Sequence, residues 1–267
     1  MPISFIGLGL FDEKDITLKG LERARNSEEI FIERYTSRLI GTNLKKIEEL
    51  VENDIKELSR KDVEEKNTLL DNATKKDVSF MVPGDPMIST THSYLRLKAL
   101  KKGIDVNLVH APSIFTAAAG LSGLQNYKFS KSATIQFPRK GKISQTPYEV
   151  LKENLNRGLH TLLFLDLNID NSNCDLENGN EKEFMTAKEA LRYLLDLERT
   201  IQEGVINDET IAVVIGRAGS EDPLIEAGKI SDLINRELGD PLHVLIIPGD
   251  LHFLEEEHLK FFGLKNG

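Results

Sequence analysis

The sequence predicts an α/β protein made of two α/β domains. Three observations lead there. Short apolar runs that end in glycine or proline turns alternate with stretches of helical periodicity, composition breaks near His110-Ala111-Pro112, and 267 residues suffice for two medium domains. We expect an N-terminal domain with a parallel sheet at 1–110 and a C-terminal domain at 111–267.

The elements follow in order. Residues 3–6 are apolar and run into glycines, as a buried strand does. Residues 17–25, TLKGLERAR, place leucines for a helix, and residues 30–35 read as a strand. Leu44, Ile47, Leu50 and Val51 recur at helical spacing. VSFMV, at 78–82, is a strand that stops at Pro83-Gly84-Asp85-Pro86. Asp85 before Pro86 suits a helix N-cap with proline at the first helical position. The helix then carries Tyr94, Leu95, Leu97 and Leu100 and ends at Gly103. Residues 105–109 are a strand. Strands alternating with helices imply a parallel sheet covered on both faces.

The second half repeats this style. It has a small-residue helix at 114–121, a strand at 133–137, and a helix at 147–155 opened by Pro147. The apolar strand HTLLFLDL at 160–167 precedes a polar loop at 168–183. Residues 186–198 form an amphipathic helix, with Ala187, Ala190, Leu191, Leu194, Leu195 and Leu197 on one side. Strands at 211–215 and 243–247 and a helix near Leu259 complete the chain.

Composition excludes several functions. No apolar stretch approaches the roughly 18 residues that span a bilayer, and MPISFIGLGL lacks the basic start of a signal peptide. The single cysteine, Cys174, rules out an intrachain disulfide framework and a cysteine zinc cluster, and nothing else suggests a metal. These features fit the cytoplasm. A net charge of −9 argues against general nucleic-acid binding. One basic cluster, Pro138-Arg139-Lys140-Gly141-Lys142, reads as a solvated loop or a docking patch for an acidic surface.

In open parallel sheets ligands sit beyond the carboxyl ends of strands. The candidate loops are therefore Gly7-Leu8-Gly9-Leu10, 83–86, 110–114, Leu165-Asp166 and 216–219. The first lacks the third glycine of a dinucleotide fingerprint, since position 12 is Asp12, but its glycines let backbone approach something closely. Ser89-Thr90-Thr91-His92 adds polar groups beside the second. Pro83-Gly84-Asp85 is echoed by Pro248-Gly249-Asp250, which we read as reuse of a good turn.

Taken together, GLGLFDEKDITLKG, Tyr35-Thr36-Ser37, VPGDPMISTTH, HAPSIFTAAAGLSGLQNYKFSKSAT, HTLLFLDL, GRAGSEDPLIEAG and GDPLHVLIIPGDLH resemble the diphthine synthases in order along nearly the whole chain. The polar loop around Cys174 is the part that the resemblance does not place. The resemblance implies the tetrapyrrole-methylase type of fold, two α/β domains with an inter-domain cleft, and a homodimer. It implies S-adenosyl-L-methionine as methyl donor. The acceptor would be translation elongation factor 2, on the amino group of a 3-amino-3-carboxypropyl-histidine, with no direct nucleic acid and no membrane as partner. The compact Lys/Glu-rich chain leans to the archaeal type, which stops at the trimethylated amine.

Carried over by position, the resemblance assigns donor contacts to Leu10, Asp85, Ile88, Ser113, Ile114, Leu165, Ala218 and His243. Core packing explains the apolar ones equally well, and His243 at the head of a strand suits a structural histidine. Methyl transfer needs placement, and a base to free the amine; His92, His110 and Asp166 lie near the candidate loops, and none has a spacing that identifies it. Three other readings stay open: a corrin or porphyrin methyltransferase, a non-catalytic nucleotide-binding regulator, and an RNA-ribose methylase, the last disfavoured by the acidic balance.

Overall fold

The structure is a computed structural model that describes residues 2–139, 141–168 and 184–265. Cys174 with nearly all of the long polar loop, and Lys140 of the basic cluster, lie outside the described residues. The chain divides into two compact units, Met1–Ile114 and Phe115–Gly267.

The first unit holds strands β1 (Pro2–Gly7), β2 (Glu29–Glu33), β3 (Ile55–Leu58), β4 (Val78–Val82) and β5 (Asp105–Val109), in the order β3-β2-β4-β1-β5. Every pairing is parallel. Side chains alternate across the sheet. Ile3, Phe5, Phe31 and Phe80 pack on one face against Leu69, Leu70, Leu95 and Ala99. Ile6, Ile30, Ile32 and Met81 pack on the other against Ala24, Ile47 and Val51. The covering helices are α1 (Leu18–Arg25), α2 (Leu44–Val51), α3 (Arg60–Glu64), α4 (Thr68–Ala73) and α5 (His92–Lys101).

Three expectations need correction here. Helix α5 begins at His92, not at Pro86. Residues 86–91 form turns in which Ser89 takes a left-handed conformation with φ 55°, which an L residue does not hold inside a helix. Tyr94, Leu97 and Leu100 face solvent, because the inward stripe of α5 is His92, Leu95 and Ala99. Strand β2 stops at Glu33, whose carboxylate turns back to accept the backbone N–H of Tyr35 and Thr36 at 3.0 Å each.

The second unit holds β6 (Ala133–Ile135), β7 (Thr161–Leu165), β8 (Ile211–Gly216), β9 (Leu224–Lys229) and β10 (His243–Ile247), in the order β6-β7-β10-β8-β9. Its helices are α6 (Ile114–Ser122), α7 (Thr146–Leu155), α8 (Ala187–Ile201), α9 (Ile230–Leu233) and α10 (Phe253–Phe261). This sheet is mixed, which corrects the expectation that the second half repeats the parallel style. Only β6 and β7 run parallel; β10 is antiparallel to β7 and β8, and β9 is antiparallel to β8. Helix α8 carries a capping box between Thr186 and Glu189, and all six apolar residues of its expected face are buried in one cluster with Leu163, Val214 and Leu245.

Candidate functional site

At the carboxyl edge of the first sheet three loops meet around Gly7. A side chain there would strike the carbonyl oxygen of Gly84 at 2.6 Å, Ala111 at 2.7 Å and Pro86 at 3.1 Å. The loops after β1, β4 and β5 are thus in mutual contact, and glycine is what lets them close. Gly9 and Gly84 exchange backbone hydrogen bonds of 3.3 and 2.7 Å. Asp15 fixes the rest of the first loop: Oδ2 accepts the N–H of Leu10 at 2.9 Å and of Phe11 at 2.7 Å.

Asp85 is the hub of the second loop. Its side chain is 8% exposed. Oδ1 accepts the Met87 N–H at 3.0 Å, closing a turn, and Oδ2 lies 2.7 Å from Nδ1 of His110, on the third loop. Asp85 therefore caps a turn and not a helix, and joins two loops that sequence alone cannot connect. Beyond it, Gly84 takes φ 72° and its missing side chain would point into open space. Ile88 leaves 42% of its surface exposed, unusual for an isoleucine beside a buried hub, while Ser113 is buried. Leu10, Asp85, Ile88, Ser113 and Ile114 are thus brought to one edge of one sheet.

The remaining candidates share an edge of the second sheet for a reason peculiar to its mixed direction. Because β10 is antiparallel, its first residues lie beside the last of its neighbours: His243 faces Gly216, and Val244 faces Phe164. Leu165, Ala218 and His243 therefore belong to one edge although they begin or end strands of opposite sense. The His243 ring is fully used. Nδ1 accepts the Ala187 N–H at 3.3 Å, so Nε2 carries the proton and donates to the Leu238 carbonyl at 2.9 Å. Burial lowers its pKa. Asp166 is likewise committed, accepting the N–H of Phe137 and of Leu167 at 3.0 Å each. Asp250 of the echoed turn lies at the other end of this sheet, bonded through its N–H to Gly158, before β7.

His92 is wholly buried under the second loop, in edge contact with Phe80, and burial lowers its pKa to about 4. Sequence reasoning missed Asp15, one of three acidic residues between 12 and 15 with nothing to set it apart. Among the described residues no three His, Cys, Asp or Glu gather as a metal site, and no helix is long and apolar enough to cross a membrane.

The edge of the first sheet thus combines bare backbone at Gly84, an exposed apolar side chain at Ile88, and glycine-lined loops tied down by Asp15 and Asp85. Comparison with known proteins gives the family. The profile of the Tetrapyrrole (Corrin/Porphyrin) Methylases matches residues 2–234. A diphthine synthase of Methanocaldococcus jannaschii is 52% identical over 256 residues, 96% of each chain. Another, from Methanocella arvoryzae, is 47% identical and covers 99% of this chain and 100% of its own. A crystal structure of diphthine synthase superposes with a TM-score of 0.88 at 38% identity, covering 99% of this chain and 97% of the other. The chain belongs to the tetrapyrrole methylase family and, within it, to the diphthine synthases.

Proposed function

We propose that this protein is a methyltransferase that uses S-adenosyl-L-methionine to methylate the amino group of 3-amino-3-carboxypropyl-histidine on translation elongation factor 2, in the cytoplasm and as a homodimer, adding three methyl groups. The observation that carries the reading is the closure of three loops around Gly7, in a chain of this family, at the edge that gathers Leu10, Asp85, Ile88, Ser113 and Ile114. When bound, the donor supplies a methyl group already activated on a sulfonium. The protein's task is then mainly orientation, which can be worth roughly 7–11 kcal/mol of a barrier.

Each residue has a part that follows from its surroundings. Leu10 and Ile88 offer apolar surface to a nucleoside, and Ser113 a hydroxyl. Leu10 also offers its carbonyl, its N–H being held by Asp15. Asp85 sets the course of the second loop and keeps a carboxylate at the donor edge. The resemblance also assigns Leu165, Ala218 and His243, on an edge of the second sheet; both ring nitrogens of His243 are engaged, which leaves its main chain for a ligand.

The test is incubation of the protein with isotopically labelled donor and with elongation factor 2 bearing the precursor side chain, followed by mass spectrometry of the modified histidine. The expected result is up to three methyl groups on one nitrogen. No transfer between two folded partners, or label appearing on a corrin or porphyrin offered in competition, would overturn the reading.

A further inference from the structure

The amine that accepts the methyl group is protonated in neutral water and has no lone pair until a proton leaves. We propose that His110 is the general base that removes it, held in the required tautomer by Asp85; this rests on the function proposed above. The sequence holds six histidines, and their surroundings separate them. His92 is fully buried. His160 spends Nε2 on Glu255 and Nδ1 on the Gly249 N–H, both at 2.9 Å. His243 spends both nitrogens on backbone. His252 caps α10 through Nδ1, and His258 lies on the same helix against Gly123. His110 alone pairs one ring nitrogen with a buried carboxylate while 67% of its side chain stays open to solvent.

The pairing decides the chemistry. An ionised carboxylate only accepts hydrogen bonds, so a neutral His110 places its proton on Nδ1, 2.7 Å from Asp85 Oδ2. The lone pair is then on Nε2, at a ring that stands on the first residue past β5, beside the loops that meet at Gly7. Asp85 also stabilises the imidazolium that forms once the proton is taken, and the open side of the ring returns that proton to water. The balance is simple. An ammonium N–H bond breaks and the proton goes to Nε2; the freed lone pair forms an N–C bond while the C–S bond of the sulfonium breaks and leaves a neutral thioether. A mono- or dimethylated product is again protonated, so the base is needed before each transfer. The quaternary product has no N–H, and the sequence of transfers ends there.

His110→Asn keeps an N–H for Asp85 and removes the base. Its kcat should fall about 100-fold, within the range general bases supply, while calorimetric affinity for the donor stays within about threefold. His110→Ala should be equally slow and regain activity when imidazole is added to the buffer. Nitrogen-15 NMR of the ring, which needs no turnover, should find Nδ1 protonated and Nε2 bare. An undiminished kcat in His110→Asn, donor affinity lost in step with activity, or a ring protonated on Nε2 would each overturn the assignment. If the parent enzyme fails to methylate the factor, the functional reading falls, and the NMR result still decides the tautomer.

Discussion

Two glycines of the first unit do different work. Gly9, at φ 83°, lies where a side chain would meet Cβ of Asp15 at 2.2 Å, and Asp15 is what ties down the N–H groups of Leu10 and Phe11. Gly9→Ala adds an overlap to a left-handed backbone, a conformation that costs a non-glycine residue about 1–3 kcal/mol. Its urea midpoint should fall accordingly, and donor affinity with it, because the loop must shift. Gly84 has a similar φ of 72° but open space in front of it. Gly84→Ala should therefore cost only backbone strain, about 1–2 kcal/mol, yet its new methyl would stand where we place the donor. Calorimetric affinity should drop on the order of tenfold in a protein that still folds. Unchanged affinity in Gly84→Ala would remove that turn from the donor site.

Helix α8 is the element whose sequence and structure agree most closely. Its apolar stripe is long enough for periodicity to define a face, and Thr186 with Glu189 marks the start. Thr186→Ala should lower stability by about 1 kcal/mol, read from chemical denaturation, since the His243 ring still holds the Ala187 N–H. Several elements that escaped the sequence have too few buried positions to show a period. Strand β3 buries Ile55 and Leu58 and exposes the two residues between them, helix α3 buries only Val63, and β9 is an edge strand containing Glu226 and Gly228. Helix α5 misled because its sequence carries two apolar faces and only one meets the sheet. The direction of β10 was illegible for another reason: strand sense depends on how the chain returns, and β9 and α9, which make that return, were not seen. The same holds at the site. Glycine turns and strand ends are local and could be read, whereas the bond from Asp15 to Leu10 exists only once the first loop has folded back on itself, and that from Asp85 to His110 only once two loops have met.

Across the whole molecule, buried ionisable groups set how stability follows pH. Burial lowers His92, against a weaker opposing pull from the Pro86 carbonyl, to about 4. Burial also lowers His160 and His243. An unfolded histidine takes its proton near pH 6.5, so the unfolded state binds more protons below that value and stability falls as pH falls. For His92 alone the loss down to pH 4 is about 3 kcal/mol. Glu255 adds to it. Burial would raise its carboxyl, but the N–H groups of His252 and Gln125, then Lys128 and His160, prevail and hold it at about 2, so its contribution is lost as pH falls from 4.5 towards 2. Glu33 works in the other direction. Burial raises it to about 7 against the bonds from Thr36 and Tyr35. The folded state keeps that proton where the unfolded state has lost it, so its contribution is complete below pH 4.5 and disappears as pH rises to about 7. His92 and Glu33 lie 3.9 Å apart in one pocket of side chains, and between pH 4.5 and 6.5 their slopes oppose each other. Glu33→Gln removes the compensating member. Urea unfolding measured across that window should then show stability falling with acidification more steeply than in the parent, by about 1.4 kcal/mol per pH unit. Parallel curves for the two proteins would mean that Glu33 is ionised throughout, and that its hydrogen bonds from Thr36 and Tyr35, not its burial, govern its charge.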